Sequence, residues 1–144
     1  MMELKSLRTD PKKSIEGTWI DYIHGTRLLI ARYDNKLMQT YKNGRILENG
    51  KLFNNMSENR EEAMRVSDQI DVECLASYVL LDWEGFYEDE KPLEYTPELG
   101  AKILADEHYT EFRSFVTRAA LNTENYRVES EAAVAESVKD TAAS

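Results

Sequence analysis

Tyr78-Val-Leu-Leu-Asp-Trp-Glu-Gly-Phe-Tyr-Glu-Asp-Glu-Lys-Pro-Leu-Glu-Tyr-Thr-Pro97 joins a strongly apolar helix end, a Trp-Gly turn, an acidic loop and a new helix start. Gly85 suits the left-handed stop of a helix ending near Trp83. Thr96-Pro97-Glu98 supplies a capping side chain, Pro at the first helical position and an acid at the positive end of the helix dipole. This is connecting architecture rather than catalytic apparatus, and it points to an assembly protein, not an enzyme.

Upstream of this stretch, Ala63, Val66, Ile70, Cys74, Tyr78 and Leu81 line one stripe at helical spacing, with Glu62, Arg65, Asp68 and Glu73 over the rest. The pattern predicts a central helix from Ser57 to Leu81, with Ser57 as its cap and Glu58, Glu61 and Glu62 complementing its dipole. Further upstream, Asp34-Asn35 can cap a short helix carrying Leu37, Met38 and Tyr41, interrupted by Asn43-Gly44 and Asn49-Gly50.

From Ile15 to Tyr33 the sequence is rich in β-branched and aromatic residues, which predicts a hairpin turning at His24-Gly25. A two-residue turn there sets Trp19 opposite Ile30 and Ile20 opposite Leu29, with apolar side chains on both faces of the ribbon. Two explanations stand. Either the domain's own helices and turns cover both faces, or Trp19, Ile20, Leu29 and Ile30 form a self-association surface. A lone two-stranded hairpin is marginal and leaves open edges, so it needs packing on helices or strands from a neighbouring copy.

Downstream, Leu99, Ile103 and Leu104 make one amphipathic helix; Phe112, Phe115, Val116 and Ala119 make another after a break at His108 to Thr110. The expected fold is α+β, an N-terminal β-hairpin packed on a bundle of about four helices. Residues 1–13 read as a mobile lead-in docked through Leu4 and Leu7, 14–128 as a single domain, and 129–144 as an acidic tail with little to bury.

A formal net charge of −9 over 144 residues opposes nucleic-acid phosphates and anionic membrane surfaces, so a basic or neutral protein partner fits better. Cys74, the sole cysteine, cannot form an internal disulfide, and no apolar run approaches a membrane span; cytoplasmic residence is the default expectation.

The chemistry-bearing residues fall in no catalytic or ligating pattern. His24 and His108 lie far apart, without a second histidine or cysteine at metal-ligand spacing, and His24 reads as a turn residue. Asp106, Glu107, His108 and Glu111 read as a solvated helix end, and the acids from Asp82 to Glu90 lack the calcium-loop arrangement. Cys74 sits on the apolar stripe, where a thiol is not activated. No phosphate-cradling loop, nucleophile elbow or dinucleotide fingerprint is present, so no catalytic residue, metal or cofactor is expected. Trp83, Phe86 and Tyr87 cluster beside the acidic loop. Trp83 either anchors the turn in the core or joins Phe86 and Tyr87 in a patch that holds a basic, amphipathic partner helix, and the two roles can coexist.

Three blocks in order carry a resemblance: Gly17-Thr-Trp19 through Leu29-Ile-Ala-Arg-Tyr-Asp-Asn35; Ala76-Ser-Tyr-Val-Leu-Leu-Asp-Trp-Glu-Gly85 with Tyr95-Thr-Pro97; and Glu111-Phe112 through Asn125-Tyr-Arg-Val-Glu129. Their order and spacing resemble the tail assembly chaperones of long-tailed bacteriophages. The resemblance implies a non-enzymatic protein that oligomerises on the tape measure protein in the host cytoplasm, keeps it soluble, recruits tail tube protein and is absent from the mature virion. In that family a longer product is often made by frameshifting, and the stretch from Glu129 to Ser144 is where such an extension would attach. Two other readings remain: a structural virion component of tail or head completion, and an acidic regulator that mimics nucleic acid in a basic groove.

Overall fold

In the structure, a computed structural model that describes residues 1–129, regular order begins before Ser14. The Asp10 carboxylate accepts hydrogen bonds from the Lys12 and Lys13 amides and Pro11 takes the first helical position, which starts α1 (Pro11–Glu16). Leu4 and Leu7 belong to a short 3-10 turn and are 82% and 48% exposed, so apolar docking does not hold this segment. Backbone bonds do: Thr9 bridges Arg127, and the Asp10 amide donates to the Tyr126 carbonyl at 2.7 Å. After α1 the chain turns at Gly17, whose φ of +84° and tight approach to the Ile30 backbone, 3.1 Å from where a Cβ would stand, both favour glycine.

The hairpin forms between β1 (Thr18–Asp21) and β2 (Arg27–Ile30), but its expected register is corrected. The loop holds three residues, Ile23, His24 and Gly25, not two. Around it the Tyr22 amide donates to the Thr26 carbonyl at 2.8 Å, and the Thr26 hydroxyl donates to the Ile23 carbonyl at 2.6 Å. The pairs are therefore Thr18 with Ile30, Trp19 with Leu29 and Ile20 with Leu28. A one-residue shift changes which side chains share a face. Leu28 and Ile30 point into the core at 0% exposure with Ile20 packed beside them, while Trp19 and Leu29 meet on the opposite face. His24 and Gly25 adopt left-handed backbone, φ of 55° and 77°, as a two-residue turn at the same dipeptide would have done, so the dipeptide alone did not reveal the longer loop.

The larger correction concerns the central helix. Instead of running from Ser57 to a stop near Trp83, α4 spans Arg60–Cys74; a π-helical turn, Leu75–Val79, follows, and the chain then becomes β3 (Leu80–Glu84). β3 pairs antiparallel with β2, setting Trp83 opposite Leu28 and Glu84 opposite Arg27, with an irregularity at Leu29/Ile30. The sheet order is β1-β2-β3, so this chain itself supplies the strand that one edge of the hairpin required. Gly85, at φ +91°, ends a strand rather than a helix. Ser57 is not the cap either: Asn59 stands at that position without a side-chain bond, while Glu61 and Glu62 do occupy the first turn.

Asn35 caps α2 (Lys36–Glu48) as expected, its side-chain oxygen accepting from the Leu37 and Met38 amides at 3.1 Å each. α2 runs through Asn43-Gly44, and Asn49 is where it yields to α3 (Gly50–Asn54). The acidic loop folds as a small hairpin, β4 (Tyr87–Glu88) against β5 (Lys91–Pro92). α5 (Pro97–Ala105) starts on Thr96, which accepts from the Leu99 amide at 3.1 Å, and α6 (Thr110–Leu121) follows a 3-10 turn at Glu107–Tyr109. Leu28, Ile30, Met38, Leu75, Leu80, Leu104 and Val116 fill one core between sheet and helices. Tyr126 closes it, fully buried, its hydroxyl donating to the Ile30 carbonyl at 3.0 Å. The fold is α+β, with an N-terminal antiparallel sheet against several helices; the expected acidic tail lies, from Ser130 onward, outside the described residues.

Candidate partner-binding surfaces

β3 carries Trp83 into the core, where it is 6% exposed. Its indole N–H donates to the Leu93 carbonyl at 2.7 Å, and its ring meets Phe86 at 5.0 Å and Tyr95 at 4.9 Å between centroids. Phe86 is half-buried and stands edge-on to Phe112 at 6.3 Å. Of the aromatic trio only Tyr87 projects outward, at 67% exposure. It stands on β4, beside a turn in which Asp89 and Glu90 adopt φ of 51° and 66°, and Glu84, Glu88, Asp89 and Glu90 are all exposed around it. Left-handed backbone at two non-glycine residues costs on the order of 1 kcal/mol each. Tyr95, given no site role by the sequence, clamps this region from behind: its hydroxyl donates to the Ala76 carbonyl in the π-helical turn, and burial raises the phenol above its ordinary range. Tyr95 also explains Gly100, since a Cβ there would collide with the Tyr95 ring.

A second surface is the outer face of the sheet. Trp19 and Leu29 are cross-strand neighbours and half-buried, and the Arg27 guanidinium lies 5.2 Å from the centre of the Trp19 ring. Arg27 also pairs with Glu84 at 3.0 Å and Asp21 at 3.5 Å, which places charges of both signs beside the apolar pair. Ile20 and Ile30, grouped with Trp19 and Leu29 in the sequence reading, lie on the core side, Ile30 at 0% exposure.

The titratable groups mostly serve internal contacts. Arg113 reaches Asp68 and Asp71 at 2.8 Å each, and the Tyr33 hydroxyl donates to Asp71 at 3.0 Å. Burial, reinforced by Asp71, pushes the Tyr33 phenol up to about 12; burial, again with Asp71 nearby, pushes the Cys74 thiol up to about 11. Asp106 caps the turn at Glu107–Tyr109 through the His108 amide, and that bond, with the His108 ring, holds its carboxyl below the ordinary range. Among the described residues no group of three or more metal-ligating side chains converges. No helix there is long and apolar enough to cross a membrane.

Residues 34–137 match a protein family described as YdaY prophage protein. No curated protein and no solved structure matches the chain. The matched span opens at Asp34, one residue before the α2 cap, and takes in every helix from α2 to α6 together with β3, leaving β1 and β2 outside it. A match over well more than half of the 144 residues decides the affiliation: the chain belongs to the YdaY prophage protein family.

Proposed function

We propose that this prophage protein is a tail assembly chaperone. It self-associates along the tape measure protein, keeps that helical chain soluble in the host cytoplasm, recruits tail tube subunits and leaves before the virion matures. The reading gives it no enzymatic step, cofactor or nucleic-acid contact. The observation that carries it is exposed Tyr87 on an acidic hairpin whose turn keeps two non-glycine residues at positive φ. An aromatic anchor with an acidic rim suits a basic, apolar-faced partner segment, and many such weak contacts along a long chain add through effective concentration. The phage-associated family and the order of the sequence blocks that resemble tail assembly chaperones support the same reading.

Co-expression with a tape measure segment from the same prophage tests it. The wild-type chain keeps the segment soluble, and Tyr87→Ala reduces the recovered complex while leaving thermal stability unchanged. Phe86 is a poor probe, because its ring supports Trp83 and its loss would confound binding with folding. Abundant copies of the protein in purified virions would instead indicate a structural component.

A further inference from the structure

A groove of about 740 Å³ runs between α2, α3 and α4, away from Tyr87 and the outer sheet face. Ile46, Met56 and Met64 line it at 38%, 47% and 59% exposure, beside half-buried Phe53. Several large apolar side chains converging on one groove form a patch, unlike apolar residues scattered singly. Methionine, unbranched and polarisable, adapts to varied side chains set against it.

The polar end of the groove is already paired. Tyr33 donates to Asp71, Arg113 bridges Asp71 and Asp68, and Lys42 lies 3.6 Å from Asp34 and 5.9 Å from the centre of the Tyr33 ring. Among the described residues no buried side-chain polar atom lacks a partner, so the floor of the groove offers no unpaired buried group with which to orient a polar small molecule. On α4, Met64 and Asp68 line the groove, and Glu61, three residues before Met64, continues their stripe along the helix beyond it. Asp68 is 62% exposed and only its Oδ1 contacts Arg113, which leaves carboxylate surface facing outward.

We propose that this groove holds an amphipathic helix of a partner protein, its apolar stripe against Ile46, Met56 and Met64 and its Lys or Arg flank along Glu61 and Asp68. Opposite charge on the flank and an adaptable apolar floor are the two features that such a helix requires. The inference rests on the chaperone reading for its natural occupant and deepens it by naming the class of segment held.

The test uses the full chain and two labelled peptides of about 20 residues, roughly 30 Å when helical. One has a Leu stripe with Lys flanks, and its twin carries Glu at every Lys position. Fluorescence anisotropy should show the Lys peptide binding, with Met64→Lys and Met56→Lys each weakening it about tenfold and Asp68→Asn giving a shallower salt dependence. The loss caused by Met64→Lys and by Met56→Lys should persist in a Tyr87→Ala background, which separates the groove from the acidic hairpin. Both methionines are exposed, so circular dichroism should find both variants folded. Equal binding of the Glu twin, no binding of either peptide, or indifference to both methionine changes would overturn the proposal. So would Met64→Lys dissociating a homodimer with which the peptide does not compete, since the occupant would then be a second copy. Peptide binding without rescue of the tape measure segment would leave the groove standing and remove the chaperone reading; rescue without peptide binding would do the reverse.

Discussion

Tyr126 shows at the residue scale how a local signal can conceal a long-range role. Its neighbourhood in the sequence, Thr-Glu-Asn-Tyr, reads as a turn, yet the ring is fully buried and its hydroxyl satisfies the carbonyl of Ile30, 96 residues away. Tyr126→Phe should cost about 1 kcal/mol, the net worth of such a bond, as a lower urea midpoint with an unchanged slope. Gly100→Ala should cost more, because the added methyl must displace the Tyr95 ring that donates to the Ala76 carbonyl. Caps were legible at this scale: Asn35 and Thr96 bond the amides that their positions imply. Ser57 was not, because Asn59 two residues later is where the helix begins. Tyr87 was named from its sequence setting, but nothing in the sequence separated it from Phe86, since which ring turns outward depends on the β4 pairing.

Among the elements, β3 is where sequence reading and structure part. Ile70, Cys74, Tyr78 and Leu81 keep helical spacing, but the run from Val79 to Leu81 is short and apolar, a pattern that fits strand and helix equally. The unsatisfied edge of β2 decides the matter, because backbone groups there need partners that only an extended segment supplies. The π-helical turn Leu75–Val79 makes the transition, and the Val79 carbonyl at its end accepts from the Ala31 amide at 2.8 Å, just past β2. Leu80→Pro should therefore disrupt the core pairing and unfold the domain, whereas an exposed proline at Glu94 should not, as circular dichroism would report. The β4–β5 hairpin gives the opposite prediction. Asp89→Asn with Glu90→Gly should raise stability by about 1 kcal/mol, since Asn-Gly adopts left-handed turn backbone without strain. A higher thermal midpoint checks it.

On the scale of the whole molecule, the buried thiol and phenol predict an alkaline limit. Cys74 and Tyr33 both hold their protons more tightly in the folded state than in the unfolded chain. Their contribution is complete below the ordinary thiol value of 9.0 and is lost as the pH rises through about 11 for Cys74 and about 12 for Tyr33. Urea midpoints should accordingly fall with rising alkalinity, and Cys74→Ala should soften the earlier part of that fall. The α+β class was legible from the hairpin pattern and the helical stripes, while the groove between α2, α3 and α4 was not. Met56 lies in the turn between α3 and α4 and Met64 on α4, and the packing of α2 and α3 against α4 sets Ile46 and Phe53 beside them at one opening. In the proposed role, the apolar groups exposed on this acidic prophage protein hold an elongated helical partner. Co-expression with the tape measure segment of its own prophage, followed by size-exclusion chromatography with light scattering, tests it most directly. One soluble complex with several copies of this protein on each segment is the expected result; a segment that stays insoluble beside a monomeric protein would rule that role out.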